Sequence, residues 1–359
     1  MVTMTRVLAT SWAGGIAVLA VWTAGPLMGF ASAPAVHVPT VAAALPLAHL
    51  EPGEFALILA PAVGWQPQGE ADFALALEPP APFVPPPWYP PSTDILVLGD
   101  MDGSGPTTGP TVKSRAAFVY DIDGGRVLYE KNPDTPRPVA SITKLVSSLA
   151  LVSADPDLTQ EFTIGPEQYP PRSGARSRLS TGDRTSGWDV LGAALVASDN
   201  RAAMGLAAAA GMHLDEFVGR MNRVSVELGM TRSSWADPSG LEDGNVSTAR
   251  DIAKATVAVA FHPVLQPVAS APFWDLWRTN KVNARRLGST DRLIGREDLI
   301  VETAKTGYTD AALYTFTTVL RTDSGRHLAI TLLGADGKLT RWADMNRILT
   351  WLESGAAGG

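Results

Sequence analysis

The chain has 359 residues, of which 45% are hydrophobic, and a formal net charge of −7, which is enough sequence for one large domain or two small ones. The absence of cysteine excludes disulfides, thiolate nucleophiles and cysteine metal sites, and the five scattered histidines contain no pair at ligand spacing, so neither a metal nor a cofactor is expected. Residues 7–112 hold eight acidic residues and no Lys or Arg, whereas the rest is electroneutral and lacks the basic patch of a nucleic-acid-binding protein.

Residues 1–33 are predicted to be a signal peptide or an N-terminal membrane anchor. Arg6 is followed by a long apolar stretch that ends in the small residues "ASA" at 31–33, as in a secretory signal. Pro34 directly after this site disfavours cleavage there, and "AAA" at 42–44 is a second candidate. A buried core helix is the alternative. Arg6 is the only basic residue before the apolar stretch, and none follows that stretch until Lys113. This charge distribution predicts export of the rest of the chain, to a periplasmic or extracytoplasmic location.

Residues 34–112 are predicted to be a Pro/Ala-rich acidic linker. The stretch "EPPAPFVPPPWYPPSTD" at 78–94 favours polyproline II over a packed helix or an inner strand. We interpret it as a spacer. A docking peptide for an aromatic groove is the alternative.

Residues 113–359 are predicted to form the catalytic domain, beginning with a β-hairpin around Asp123-Gly124-Gly125. The stretch "VASITKLVSSLALV" at 139–152 is apolar on nearly every side and predicts a buried helix. Ser247 is a plausible N-cap for the last of the central helices. Further helices are predicted at 186–197, 200–211, 214–230, 246–260 and 340–354, and strands at 299–305, 313–322 and 326–336.

The helix that is predicted to be buried carries two polar residues, Ser141 and Lys144, three residues apart. On a helix this spacing puts both side chains on one face. A neutral lysine amine could accept the serine proton if a dry pocket lowers its pKa. The pattern alone is weak, since Ser-x-x-Lys is expected about once by chance in a chain this long. The alternative is an ordinary helix start with a lysine that reaches solvent.

Two further motifs strengthen the hypothesis: "SDN" at 198–200 and "KTG" at 305–307. Ser198 could relay a proton from the base to a leaving amine, and Asn200 could hold a substrate amide. Lys305 and Thr306 offer a cation and a hydroxyl to a carboxylate. Gly307 would let substrate lie against the strand edge.

Ser-x-x-Lys, Ser-Asp-Asn and Lys-Thr-Gly in this order are the signature of penicillin-binding proteins and class A β-lactamases. The chain resembles the low-molecular-mass D-Ala-D-Ala peptidases of serine family S11, and within it the D-alanyl-D-alanine endopeptidases of the penicillin-binding protein 7 type. The resemblance covers residues 114–353, including the stretches "RLSTGDRTSGWDVLGAALVASDNRAAMGLA", "ELGMTRSSWADPSGLEDGNVSTARDIAKA" and "ETAKTGYTDAALYTF".

This resemblance implies a mixed α/β fold, with an antiparallel sheet flanked by helices, a helical cluster, and the site between them. The 52 residues after Gly307 leave no room for the extra C-terminal β domain of some relatives. The resemblance also implies acylation of Ser141 by D-Ala-D-Ala stem peptides of peptidoglycan, then hydrolysis, with β-lactams as covalent inhibitors. The backbone N–H groups of Ser141 and Tyr308 would form the oxyanion hole.

Endopeptidase activity is favoured by family likeness, with DD-carboxypeptidase activity as the alternative, since no motif separates the two. A class A β-lactamase needs a deacylating glutamate four residues from an asparagine. Here Glu242 and Asn245 are three apart, and we interpret Glu242 as a loop residue. A non-catalytic wall-binding module would be expected to have lost one of the motif residues, and all are present.

Overall fold

The computed structural model describes residues 6–11, 17–22, 101–106, 109–168 and 177–355. Strands β1 (Arg6–Ser11) and β2 (Ala17–Trp22) pair antiparallel in a unit separate from the one that contains the remaining elements. Within the part of the chain that the structure describes, no helix is both long and apolar enough to cross a membrane. The other residues of the predicted signal or anchor, and residues 34–100 of the predicted linker, lie outside the described residues.

The second unit contains an antiparallel sheet, several short β-pairs and seven described helices. Its strands are β3 (Ala116–Asp121), β4 (Arg126–Lys131), β5 (Arg137–Pro138), β6 (Glu161–Thr163), β7 (Arg184–Ser186), β8 (Val246–Ser247), β9 (Phe273–Leu276), β10 (Arg285–Gly288), β11 (Leu299–Thr309), β12 (Leu313–Thr322) and β13 (His327–Ala335). Its helices are α1 (Thr143–Val152), α2 (Gly187–Leu195), α3 (Asn200–Ala209), α4 (Leu214–Glu227), α5 (Ala249–Phe261), α6 (Leu265–Ala269) and α7 (Lys338–Glu353).

Five strands form the main sheet in the order β11-β12-β13-β3-β4, with every neighbouring pair antiparallel. All nine residues of β13 are buried, because this strand lies at the centre and both of its faces are covered. Strand β11 lies at an edge, so one side of its backbone has no strand partner in this sheet. An open strand edge of this kind can pair with an extended peptide.

Two apolar clusters cover the two faces of the sheet. One contains α1–α6 and the side chains that point toward them, with Leu149 and Phe217 fully buried. The other lies under α7 and contains Phe316 and Met345. The antiparallel sheet flanked by helices, with a helical cluster beside it, is the fold that the motif resemblance implied, and the described residues contain no additional C-terminal domain.

The predicted cap of α5 is wrong by one residue. Thr248, in extended conformation, accepts the backbone N–H of Asp251 and caps this helix. Ser247 instead belongs to β8, and its hydroxyl bonds that of Ser233 at 2.7 Å. Both hydroxyl residues suit a cap by type, and the pairing of β8 with β5 selects between them.

Residues 101–106 pack into the core of this unit, although the prediction placed them in the linker. The Met101 side chain is 1% exposed and lies in the larger core cluster. Arg250 donates to the carbonyls of Met101 and Gly103 at 2.6 and 3.0 Å. A buried methionine and a buried guanidinium thus order this segment, and neither contact is visible in its composition.

Candidate active site

Ser141 lies in the 3₁₀ turn Ala140–Ile142, immediately before α1. Ala140 has φ +52°, a left-handed conformation that costs free energy for any residue other than glycine. The turn is held from two sides: Thr143 Oγ1 donates to the Ala140 carbonyl at 2.8 Å, and Gly240 packs so closely that a Cβ there would lie 2.0 Å from the same oxygen. A strained, clamped turn therefore presents the serine at the start of a buried helix.

Lys144 is fully buried, and its amine makes three hydrogen bonds. Lys144 Nζ lies 2.9 Å from Ser141 Oγ, 2.8 Å from Asn200 Oδ1 and 2.6 Å from the Ser239 carbonyl oxygen. Burial lowers the pKa of Lys144 to about 7, because a charged amine loses its hydration there. A large fraction of this amine is therefore neutral near pH 7 and can accept a proton from the adjacent hydroxyl.

The Ser239 carbonyl is fixed by a buried carboxylate in the loop before β8. Asp237 Oδ1 accepts the Ser239 N–H at 2.6 Å and also the Ser239 hydroxyl. Asp237 Oδ2 accepts from Glu242 N at 2.8 Å and from Asn245 Nδ2 at 2.6 Å. No motif in the sequence marks this carbonyl as part of the site. The "DPSG" turn signal in the sequence predicts a tight loop, but not where the loop packs.

The Ser-Asp-Asn motif lies between α2 and α3. Ser198 has φ +57°, a second strained residue at the site. Asp199 caps α3 by accepting the Ala202 N–H and also accepts the Ser177 hydroxyl at 2.7 Å. This cap fixes the orientation of Asn200, the first residue of the helix, whose side-chain oxygen accepts from the buried amine described above.

The Lys-Thr-Gly motif lies near the end of β11. Lys305 is 1% exposed, and its Nζ donates to Ser198 Oγ at 2.8 Å, so the second and third motifs are in direct contact. Burial, and then repulsion from Lys144, hold the pKa of Lys305 well below its ordinary value. Thr306 Oγ1 donates to Thr290 Oγ1 at 2.8 Å.

Gly307 lies where β11 passes the serine turn. A Cβ at Gly307 would lie 2.4 Å from Thr315 Oγ1 and 3.1 Å from the Ser141 backbone nitrogen. The close approach of β11 to the serine turn therefore requires a glycine at this position. This packing constrains the residue more strongly than the room for substrate at the strand edge, which was the reason proposed from the sequence. Tyr308, the next residue, is 49% exposed on the edge strand.

Two buried charges behind the third motif were also missed by sequence reasoning. Arg341 Nη1 donates to the carbonyls of Thr315 at 2.9 Å and Gly307 at 3.3 Å, and burial lowers its pKa to about 10. Burial raises the pKa of Asp291 to about 6, while Arg341 and Lys305 act against that shift. No sequence signal marks either residue, because both reach the site through the tertiary fold.

The predicted site residues thus occupy one continuous region. Hydrogen bonds join Ser141, Lys144 and Asn200 on one side and Lys305 and Ser198 on the other. No group of three or more potential metal-ligating side chains occurs among the described residues. Chemically, the arrangement offers a hydroxyl beside an amine that can act as a base, and a second buried amine with neighbouring hydroxyls next to an open strand edge.

The sequence matches the Peptidase_S11 family, described as D-alanyl-D-alanine carboxypeptidase, over residues 104–337. It is 30% identical over 284 residues to a D-alanyl-D-alanine endopeptidase of Escherichia coli K12, covering 79% of this chain and 88% of the relative. A D-alanyl-D-alanine endopeptidase of Pseudomonas aeruginosa is 34% identical over 243 residues, covering 67% and 78%.

Penicillin-binding protein D2 from Listeria monocytogenes, solved in a cefotaxime-bound form, has a similar structure. The TM-score is 0.58 with 26% identity, covering 67% of this chain and 97% of that one. The family match, the two relatives and the fold agree with the resemblance carried by the three motifs. The chain belongs to the S11 family of serine D-Ala-D-Ala peptidases.

Proposed function

We propose that this protein hydrolyses D-Ala-D-Ala-type bonds in the stem peptides of peptidoglycan through an acyl-enzyme on Ser141. The observation that carries the proposal is the buried amine of Lys144, which has a pKa of about 7. Its Nζ lies 2.9 Å from Ser141 Oγ. Serine alone is a weak nucleophile and needs such a base within hydrogen-bond reach.

In acylation, Ser141 Oγ attacks the carbonyl carbon of the penultimate D-Ala, and its proton passes to Lys144 Nζ. The negative charge that develops on the carbonyl oxygen is accepted by the backbone N–H groups of Ser141 and Tyr308. This assignment is supported by the close passage of β11 along the serine turn, seen at Gly307. Preorganised donors of this kind contribute about 3–4 kcal/mol each in acyl-transfer sites.

The C–N bond then breaks, and the leaving amine needs a proton. Lys144 supplies it through the Ser198 hydroxyl, which in the free protein accepts a hydrogen bond from Lys305. Water next attacks the ester carbonyl and gives up a proton to the neutral Lys144. The ester C–O bond breaks, Ser141 regains its proton, and the acid product leaves.

The substrate is held by groups on both sides of the serine. Asn200, fixed at the start of α3, binds a backbone amide of the stem peptide. Lys305 and Thr306 bind the carboxylate beside the leaving amine. An incoming carboxylate favours the charged form of Lys305, so binding offsets the low pKa that burial and repulsion give this amine in the free protein.

We propose cleavage of cross-links, a DD-endopeptidase reaction, because the two relatives described above carry that name. DD-carboxypeptidase activity is the second candidate, because the matching family is described by it. In a cross-link the residue that carries the leaving amine also carries a carboxylate beside it. Lys305 and Thr306 can therefore bind both substrates.

The test uses two purified muropeptides, a cross-linked dimer and a monomer ending in D-Ala-D-Ala, followed by chromatography and mass spectrometry. The endopeptidase proposal expects the dimer to be converted to monomers faster than free D-Ala appears from the monomer. The reverse order would make the protein a carboxypeptidase. Cleavage that persists in the Ser141→Ala variant would exclude the serine mechanism.

We further propose that β-lactams acylate Ser141, since they present a strained amide and a carboxylate to the same groups.

The protein acts outside the cytoplasm, where peptidoglycan lies. Residues 1–33 direct export as a cleaved signal or an anchor, residues 34–100 are a spacer, and the catalytic domain is residues 113–359 together with the packed segment 101–106. Mass spectrometry of the protein purified from an exporting cell would show whether residues 1–33 are retained.

A further inference from the structure

Thr290 lies beside the Lys-Thr-Gly motif and has no part in the mechanism above. Its hydroxyl oxygen accepts a hydrogen bond from Thr306 Oγ1 at 2.8 Å, and its backbone N–H donates to the Val196 carbonyl at 3.1 Å. Val196 stands two residues before Ser198. Thr290 therefore joins the segments that carry the second and third motifs, where the proposed carboxylate-binding groups lie.

The segment around Thr290 is held by its own hydrogen bonds. The Ser289 N–H donates to the Pro272 carbonyl at 2.9 Å, and the Ser289 hydroxyl accepts the Asp291 N–H at 3.2 Å. Asp291 Oδ1 in turn accepts the Leu293 N–H at 3.1 Å. A ligand that reaches Thr290 therefore meets a side chain on a fixed backbone, and binding there requires little further ordering.

The Thr290 hydroxyl has an unused hydrogen. A hydroxyl can donate one hydrogen bond and accept two. This hydroxyl accepts from Thr306, and among the described residues it donates to none. Thr290 is exposed, whereas Thr306 is 7% exposed. The pair of hydroxyls thus reaches from the buried strand to the surface, and the outer one has a hydrogen to offer.

The charges around this pair favour an anion. Lys305 Nζ donates to the Thr306 carbonyl at 3.2 Å, and Arg341 Nη1 donates to the Gly307 carbonyl at 3.3 Å. The opposing charge is that of Asp291, which is 9% exposed and interacts with both basic side chains. One buried carboxylate thus stands against two basic groups, so a second carboxylate, brought by the substrate, completes the charge balance.

We propose that Thr290 is a further specificity-determining residue, whose hydroxyl donates to the substrate carboxylate beside the leaving amine. The inference rests on the proposed function, which assigns that carboxylate to Lys305 and Thr306. Hydroxyl hydrogens rotate about their C–O bonds, so binding turns those of Thr306 and Thr290 toward the two oxygens of one carboxylate. Hydroxyl oxygens 2.8 Å apart can both reach it, because each needs to lie only about 2.5–3.0 Å from an acceptor.

The test measures the second-order rate of acylation of the full chain by benzylpenicillin and by its methyl ester, which lacks the carboxylate charge. Intact mass follows both adducts. Thr290→Val removes the hydroxyl and keeps the shape of the side chain. We expect it to slow acylation by benzylpenicillin at least about tenfold, as loss of a hydrogen bond to a charged group predicts. Acylation by the ester should slow at most about threefold, because a neutral acceptor makes a weaker hydrogen bond.

Two comparisons control for folding and for a purely structural role. Thr290→Ser, which keeps a hydroxyl, should recover most of the benzylpenicillin rate, and Thr231→Val, in an exposed turn after α4, should match wild type with both compounds. In a Thr306→Val background, Thr290→Val should slow benzylpenicillin at least about threefold further, because the Thr290 hydroxyl contacts the carboxylate itself.

An unchanged benzylpenicillin rate in Thr290→Val would overturn the proposal. Equal losses with benzylpenicillin and its ester would also overturn it, since Thr290 would then support the serine and not the carboxylate. No further loss in the Thr306→Val background would show that Thr290 acts only by holding Thr306, against the proposed contact. Failure of the proposed function is distinguishable, because wild-type protein would then form no adduct with either compound, and the inference would fall with it.

Discussion

The neutrality of Lys144 can be tested through pH and substitution. A lysine with its ordinary pKa of 10.5 is neutral to only about 0.03% at pH 7, whereas one with a pKa of about 7 is about half neutral. Burial therefore raises the fraction of usable base by roughly a thousandfold. General-base catalysis contributes about 10²–10⁴ in rate, so Lys144→Ala should slow acylation by at least about a hundredfold.

The sign of the pH dependence follows from the lowered pKa. Protonated Lys144 cannot take the serine proton, so the second-order rate of acylation by benzylpenicillin should fall about tenfold for each pH unit below 7 and level off above it. The intact-mass time courses are run between pH 5 and 9 and follow the whole profile.

Lys144→Arg separates the base from the positive charge, because arginine keeps its proton at every pH in this range. This variant should be as slow as Lys144→Ala, while the control Lys338→Ala, at an exposed lysine on α7, should match wild type. A Lys144→Arg protein with near-normal acylation, or a wild-type rate that does not change between pH 5 and 7, would refute the assignment of Lys144 as base.

Three further predictions concern the carboxylate site, the serine turn and stability. Lys305→Ala should lower kcat/KM for carboxylate-bearing substrates by about 10–100-fold, the value of a charged hydrogen bond, with an unchanged circular dichroism spectrum; loss of the spectrum would make Lys305 structural. Gly307→Ala should push β11 from the serine turn at a cost of about 1–3 kcal/mol and slow acylation at least tenfold; wild-type acylation would contradict the close packing. Burial lowers the pKa of His262 to about 4, so the unfolded state, with a pKa near 6.5, gains a proton first as the pH falls. Urea unfolding should show a loss of about 2–3 kcal/mol between pH 7 and pH 4.5 that His262→Gln lacks, and equal losses in both proteins would exclude His262 as its source.

The motif residues could be found from the sequence because their spacing is local. Ser141 and Lys144 are neighbours on adjoining turns of the backbone, and each of the other two motifs is a run of three residues. Their order along the chain was enough to indicate the family and hence the fold. The main strands and helices followed from apolar periodicity and turn residues, with boundary differences of a few residues.

The rest depends on packing between distant segments. The Ser239 carbonyl reaches the lysine across 95 residues, and Arg341 reaches the carbonyl of Gly307 across 34. A backbone carbonyl has no sequence signature, and an arginine in an amphipathic helix is normally a surface residue. The choice of Thr248 over Ser247 as the α5 cap likewise depends on which residue pairs with another strand.

The central claim is that Ser141 is the nucleophile, and one measurement tests it most directly. Wild-type protein and the Ser141→Ala variant are incubated with benzylpenicillin, and intact mass and peptide mapping follow the adduct over time. The account predicts a long-lived adduct on the peptide that contains Ser141, and none in the variant. An adduct on another serine, or one that persists in Ser141→Ala, would contradict the account.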